Sequence, residues 1–293
     1  MPFRWRPDGD YVRDLQKARR IMPFIMRKRN ESTVFFEQKF DTSKTLIFLK
    51  EFRERTGLHA TMLHLLIYAS AQMLRERPRL NRIVAGGRIF QRRGIWISFS
   101  AKKRKTEDAP IVLVKREIDP SWSFEELVRQ IEGGISEGRS DKPSTTDTEL
   151  SLMFKLPSLL VGWLVWLLMK LDRFGLLPGA YIKKDPLFAS IFIVNLGSID
   201  LDAGYHHLYE YGNIPMLIMA GLSKEEVVVG PDGKPTIQPV MVLRYSFDER
   251  IEDGLYGARA LEIMKRIIQE PSSLMGIEKG ITRTAQSDSH PAL

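Results

Sequence analysis

Residues 189–269 constrain the fold most. Four strand-like runs, 189–195, 216–222, 226–229 and 236–247, are followed at once by a helical pattern over 254–269. The runs are rich in Val, Ile, Met and Phe, and the segment 231–234, with Asp232 and Gly233, marks a tight turn between the last two. In the helical stretch Ala258, Leu261, Met264 and Ile268 recur at helical spacing, and Pro271 ends it. Strands that need a covering helix exclude an all-helical bundle and a disordered chain, and they require a sheet with helices packed on it.

The first half alternates in the same way. Residues 8–29 are basic and helix-compatible, with apolar Leu15, Ile21, Ile25 and Met26. Residues 34–40 suit a strand. A helix is predicted over 43–55, with Leu46, Leu49 and Phe52 on one face and Gly57 at its end. A second follows over 61–75, with Thr61 as N-cap and Pro78 beyond it. Ile95, Ile97 and Phe99 alternate within 94–100, a half-buried strand, and 111–114 is a further short one. Ser123 and Glu126 form a capping box, and Gly133-Gly134 weakens or ends the helix it opens. Residues 136–149 are polar and read as a loop, and 175–185 as an irregular connection. The whole reads as one mixed domain over 1–278, with an added polar and apolar segment at about 137–188 and a disordered tail over 279–293.

Composition narrows the function. Of 293 residues, 43% are apolar and 27% charged, as in ordinary globular proteins. The absence of cysteine excludes disulfides, thiolate metal sites and a cysteine nucleophile. No His, Asp or Glu spacing suits a metal. The net charge of +8 comes partly from the clusters Arg27-Lys28-Arg29, Arg92-Arg93 and Lys102-Lys103-Arg104-Lys105. Such clusters attract phosphate or anionic lipid, or are simply solvated loops. No base-reading motif accompanies them, so no nucleic acid is expected. No apolar run follows the opening residues 1–6, which leads to the expectation of no secretory signal and a cytoplasmic location. The run 156–169 is apolar around the whole helix and contains Trp163 and Trp166. It is shorter than the ~20 residues that span a bilayer. Burial in the core, a partner protein or a membrane surface would each satisfy it.

Four segments carry a family resemblance: Arg19 or Arg20 with residues 22–29; Pro78-Arg79-Leu80-Asn81; Asn195-Leu196-Gly197; and residues 246–254 with the helix after them. In this order they resemble the catalytic core of the dihydrolipoyl acyltransferases of 2-oxoacid dehydrogenase complexes, and more distantly chloramphenicol acetyltransferase. The resemblance spans about residues 10–276, with no lipoyl or subunit-binding domain expected before it. It implies an α/β (α+β) fold, a chloramphenicol acetyltransferase-like mixed sheet flanked by helices. It further implies a homotrimer or larger cage and coenzyme A as acyl carrier, with no covalently bound cofactor.

The family motif is His-x-x-x-Asp-Gly, with the His facing a channel between two subunits. Here the His position is Glu249, followed by Asp253 and Gly254. Acyl transfer between thiols needs a base matched to a thiol of pKa ~8.5; neutral imidazole serves, whereas an ordinary glutamate of pKa ~4.3 is a poorer base. The family also places a hydroxyl just before its Asn-Leu-Gly as an oxyanion donor, and here Val194 precedes Asn195. By resemblance, Asp253 orients the loop through an ion pair to Arg19 or Arg20, and Gly254 is structural. Two readings follow: a noncatalytic scaffold or partner-binding trimer, or an active CoA-dependent acyltransferase whose base is Glu249 or a loop histidine, His206 or His207. His59 and His64 read as packing or surface residues.

Overall fold

The computed structural model describes residues 5–102, 111–139, 155–230 and 232–275. Its centre is a mixed six-stranded sheet in the order β3 (Thr33–Asp41), β10 (Pro235–Asp248), β9 (Met216–Val229), β8 (Ile191–Asn195), β6 (Trp96–Lys102) and β7 (Ile111–Glu117). β8 runs parallel to β6 and β9, while β3, β10 and β9 pair antiparallel. A smaller sheet joins β1 (Trp5–Arg6), β2 (Gly9–Tyr11), β5 (Arg88–Arg92) and β4 (Arg82–Ala85).

Strand alternation sends Ile97, Phe99, Ile193, Ile218, Leu243 and Tyr245 to one face. There they meet α3 (Met62–Glu76), α4 (Phe124–Arg139) and α7 (Gly254–Gln269) through Leu66, Met73, Leu127, Ile131, Met264 and Ile268. α2 (Ser43–Thr56) adds Phe48 and Phe52, which pack on Phe124. The opposite face, with Phe192, Leu217 and Met219, is covered by the connection carrying Ala203, Leu208 and Ile214. The expected sheet flanked by helices is what the chain forms.

Several local expectations change. Residues 8–29 hold β2 and only a short helix, α1 (Lys17–Ile25), because Gly9–Tyr11 pair with β5. Leu46 is exposed and Phe48 takes its place in the α2 core stripe. β6 is buried on both faces: Ser98 is inaccessible, and its Oγ donates to the Pro186 carbonyl at 2.6 Å where the chain crosses that face. Ser123 Oγ accepts from the Glu126 N–H at 3.1 Å, but the Glu126 carboxylate takes the Gln130 amide instead of closing the box. α4 runs through Gly133 and Gly134, since glycine weakens a helix without blocking it. Residues 216–229 make one strand, held together by antiparallel pairing of Lys224, Glu225 and Glu226 with β10. The connection 175–185 contains a short helix, α6 (Gly179–Lys184). In α7 the buried stripe is Ala260, Ile263, Met264 and Ile268, leaving Ala258 exposed. The expected tail over 279–293 lies outside the described residues, as does the polar stretch 140–154.

The apolar run forms α5 (Ser158–Phe174), and none of its residues is fully buried, so the core does not absorb it. Its C-terminal turns are tied down. Asp172 accepts from Arg6 at 2.8 Å, and Arg6 also bonds Asp8, which meets Arg92 at 3.6 Å and the Asn213 amide at 2.9 Å. Leu168 and Leu171 pack on buried Leu177, Ile182 and Phe188. Among the described residues no helix is long and apolar enough to cross a membrane.

His64 gives the fold a pH dependence. Its Nδ1 accepts the Thr61 N–H at 3.1 Å, and its Nε2 is buried without a partner among the described residues. Burial, and to a lesser extent nearby His59, holds its pKa down at about 4. The unfolded chain therefore binds a proton near pH 6.5 that the folded chain refuses until about pH 4. Stability is expected to fall by roughly 2–3 kcal/mol as pH drops through that window. His64→Gln should flatten this slope in urea titrations.

Candidate functional site

The motif at the end of β10 is held by short-range geometry. β10 pairs with β3 as far as Asp248 opposite Thr33, and the chain then turns. The Asp248 N–H donates to the Pro215 carbonyl at 2.9 Å, and the Glu249 N–H to the Ser32 carbonyl at 3.0 Å. Asp248 grips Arg250 through its N–H at 3.1 Å, its Nε at 2.8 Å and its Nη2 at 2.7 Å. Both residues are buried, and Arg250 Nη1 continues to the Met26 carbonyl at 3.2 Å. On the next turn Arg82 Nη1 donates to the Ile251 carbonyl and to Glu252, each at 3.0 Å. Two buried ion pairs thus fix the backbone on either side of position 249. Sequence reasoning missed both; the signal for the first was the Asp-x-Arg spacing beside a strand end.

Glu249 itself is half-buried. Its carbonyl accepts from Arg19 Nη1, whereas its carboxylate has no hydrogen-bond or ion-pair partner among the described residues. The expected ion pair of Asp253 with Arg19 or Arg20 does not form within the chain. Asp253 instead caps α7, its Oδ1 accepting the Tyr256 N–H at 2.9 Å, where the free amides and the helix dipole favour a carboxylate. Arg19 still holds the loop, through the Glu249 carbonyl, and Arg20 is exposed. A Cβ added to Gly254 would meet no described residue within 4 Å.

Val194 and Asn195, both half-buried, end β8. The following turn lies so close to β9 that a Cβ on Gly197 would come within 2.6 Å of the Gly221 carbonyl. Glycine in Asn-Leu-Gly is therefore demanded by packing. The nearest hydroxyl in the turn, Ser198 Oγ, donates to the Asn195 carbonyl at 2.8 Å.

Register separates the two halves of the site. Val194 pairs with Met219, and Met219 with Arg244. Glu249 lies five residues beyond Arg244, about 17 Å along the strand direction, and two strand spacings add about 10 Å across it. The two positions are thus about 19 Å apart within one chain. They can flank one reacting centre only if a second copy supplies one of them.

The loop histidines do not join Glu249. Their rings stack on each other at 4.9 Å with Tyr209 alongside, and each Nδ1 lies on the carbonyl of the next residue, at 2.6 Å for His206 and 3.0 Å for His207. The His206 carbonyl accepts from Ser246 Oγ, so the loop is fastened to β10. Two of the basic clusters are also partly committed. Arg29 is buried and bonds the carbonyls of Tyr209 and Glu210, and Arg92 bonds Asn213, so neither is free to hold a phosphate. Residues 103–105 of the third cluster lie outside the described residues. Among the described residues no group of His, Asp and Glu could hold a metal.

The fold recurs among known proteins. Residues 186–276 match the family model of the 2-oxoacid dehydrogenases acyltransferase (catalytic domain). No curated protein sequence matches significantly. Among solved structures, a probable dihydrolipoamide acetyltransferase from Listeria monocytogenes superposes with a TM-score of 0.56 at 17% identity, over 94% of this chain and 99% of that one. The cubic core of a pyruvate dehydrogenase multienzyme complex gives 0.56 at 16% identity, over 90% and 94%. The dihydrolipoamide acetyltransferase of Azotobacter vinelandii, studied for the part a serine, a histidine and an asparagine play in its catalytic mechanism, gives 0.57 at 16% identity, over 90% and 94%. A chloramphenicol acetyltransferase gives 0.55 at 11% identity, over 89% and 99%. The fold is therefore that of the dihydrolipoamide acyltransferase cores and of chloramphenicol acetyltransferase.

Proposed function

We propose that this chain, acyltransferase-like in fold and matching the 2-oxoacid dehydrogenase acyltransferase catalytic domain over residues 186–276, is a noncatalytic homotrimeric scaffold of that family. The observation that carries the reading is the state of position 249. The loop is held in place, yet its side chain is a glutamate without a partner among the described residues, in place of the family's histidine. A second loss supports it, because Val194 cannot donate to an oxyanion. What the loop does hold serves architecture: the Asp248–Arg250 and Glu252–Arg82 pairs, the Asp253 cap and the Gly197 contact.

The separation of Val194 from Glu249 supports assembly, since a family-type channel needs two subunits to close. Larger cages, as in the cubic core that this chain resembles in fold, would need a second contact between trimers. Coenzyme A in this reading is at most a ligand of the channel, and the protein acts in the cytoplasm as a binding core for partners.

The test is an acyl-transfer assay with acetyl-CoA and dihydrolipoamide, run beside sedimentation equilibrium. The expected result is a trimer with turnover at background and no change on Glu249→Ala. Turnover that Glu249→Ala abolishes would overturn the reading and make Glu249 a working base.

A further inference from the structure

Helix α5 leaves an apolar stripe uncovered. Leu159 is 85% exposed, Trp163 57% and Trp166 53%, with Leu160 and Met169 beside them. A 17-residue helix is about 25 Å long, and this stripe follows most of it. The stripe continues across a turn of the small sheet. The Arg173 carbonyl at the end of α5 lies against Gly86, and the Phe24 ring of α1 lies on Gly87. Exposed Ile21, Phe24 and Ile25 thereby extend the surface on the far side of that turn, and the exposed Trp5 sits where its carbonyl meets Gly175.

Charge says what covers this face. Lys155 precedes α5, and exposed Lys170 and Arg173 close it, with Lys170 over the Trp166 ring at 5.4 Å. Between α5, β4 and the chain just after α1 lies a cavity of about 150 Å³ bordered by Arg27 and Arg173, neither of which has a side-chain carboxylate partner among the described ion pairs. The acids of the same cavity are turned inward: Asp172 holds Arg6, and Glu210 accepts the N–H groups of Arg29 and Asn30. A second copy related by a two-fold axis would bring the same cations against these. An anionic lipid surface complements both features, taking the apolar stripe at the acyl boundary, the indoles at the headgroup level and the cations among the phosphates.

We infer that α5, with the exposed face of α1, docks this protein on an anionic membrane surface without crossing it. The inference stands apart from the reading of Glu249, and either can fail alone. The test uses the full chain with vesicles of phosphatidylcholine, alone or mixed with phosphatidylglycerol, followed by co-sedimentation and tryptophan emission. Expected are binding to the mixed vesicles with a blue shift, weak binding to phosphatidylcholine alone, and release as salt rises. The exposed-residue variant Trp163→Ser/Trp166→Ser should lower partitioning about 10–100-fold. Lys170→Glu/Arg173→Glu should weaken it specifically on the anionic vesicles. Circular dichroism and the oligomeric mass should be those of wild type in both variants. No binding to the mixed vesicles, or binding that neither variant reduces, overturns the inference. So does loss of self-association in the tryptophan variant, which would assign the face to a second copy.

Discussion

Arg6→Met is expected to lower the unfolding free energy by about 3–5 kcal/mol, the typical cost of removing one partner from a buried ion pair. Arg6 is 1% exposed and serves two carboxylates, Asp8 at 2.9 Å and Asp172 at 2.8 Å. Methionine nearly fills the volume, so the loss is chiefly that of charge and hydrogen bonds. Asp8 retains Arg92 and Asn213, whereas Asp172 loses its ion pair and stays near the small sheet without one. By contrast, losing the exposed pair Lys39–Glu226 should leave stability nearly unchanged, because solvent screens it. Urea titrations at fixed protein concentration read both. The acid limb supplies an independent check. Burial raises the Asp8 pKa, but Arg6 and then Arg92 outweigh this, and the carboxyl ends below its ordinary value. A depressed carboxylate stabilises the fold above about pH 4, and that contribution is lost as pH falls through the folded pKa. Arg6→Met should therefore blunt the loss of stability below about pH 4, and hydrogen exchange should rise across α5, which Asp172 anchors. A loss under about 1 kcal/mol would mean that apolar packing of Leu168 and Leu171 alone holds α5.

That network shows what a sequence hides. Arg6 and Asp172 are 166 positions apart, and no local pattern announces their meeting. The elements that were legible carry their own signals. Gly57 ends α2 in the left-handed conformation at φ 73°, Thr61 opens α3 and Pro271 follows α7, each through a local backbone preference. Misreadings arose where tertiary contacts overrode local preference. The polar Ser223-Lys224-Glu225-Glu226 looks like a break between strands, yet cross-strand pairing with Met241 to Gln238 keeps it extended. Leu46 fits the periodic stripe as well as Phe48 does, and only the position of Phe124 decides between them. For α5 the sequence established that an apolar helix needs a cover, but its exposure appears only once the core is seen to be complete without it.

The site divides the same way. Residues 246–254 and Asn195-Leu196-Gly197 were readable as motifs because each is a contiguous strand end with turn chemistry. The role of Asp253 was not, because helix capping and loop pairing ask for the same residue type at the same place. Nor was the Asp248–Arg250 pair, which fixes the loop independently of the residue at 249. This independence leaves the side chain at 249 free to vary without loss of the fold.

On the scaffold reading proposed above, acyl-transfer chemistry should be open to installation at this loop. The double variant Glu249→His/Val194→Ser is expected to transfer acyl groups from acetyl-CoA to dihydrolipoamide at least about 100-fold above the unmodified chain. A positioned base is worth ~100–10,000-fold and an oxyanion donor ~100–1,000-fold, and because such groups act as a unit the single variants should recover little. Strand register constrains where such activity can arise. Positions 194 and 249 are about 19 Å apart in one chain, so an active centre must take its histidine from one copy and its serine from another. Activity of the double variant should then fall on dilution in step with dissociation of the assembly. Mixing separately inactive Glu249→His and Val194→Ser chains, followed by subunit exchange, should generate activity at the fraction of interfaces that combine the two. Activity that persists in the monomer would place the centre within one chain, contrary to the strand register. A double variant that assembles, binds acetyl-CoA and remains silent would show that the channel has lost more than these two side chains.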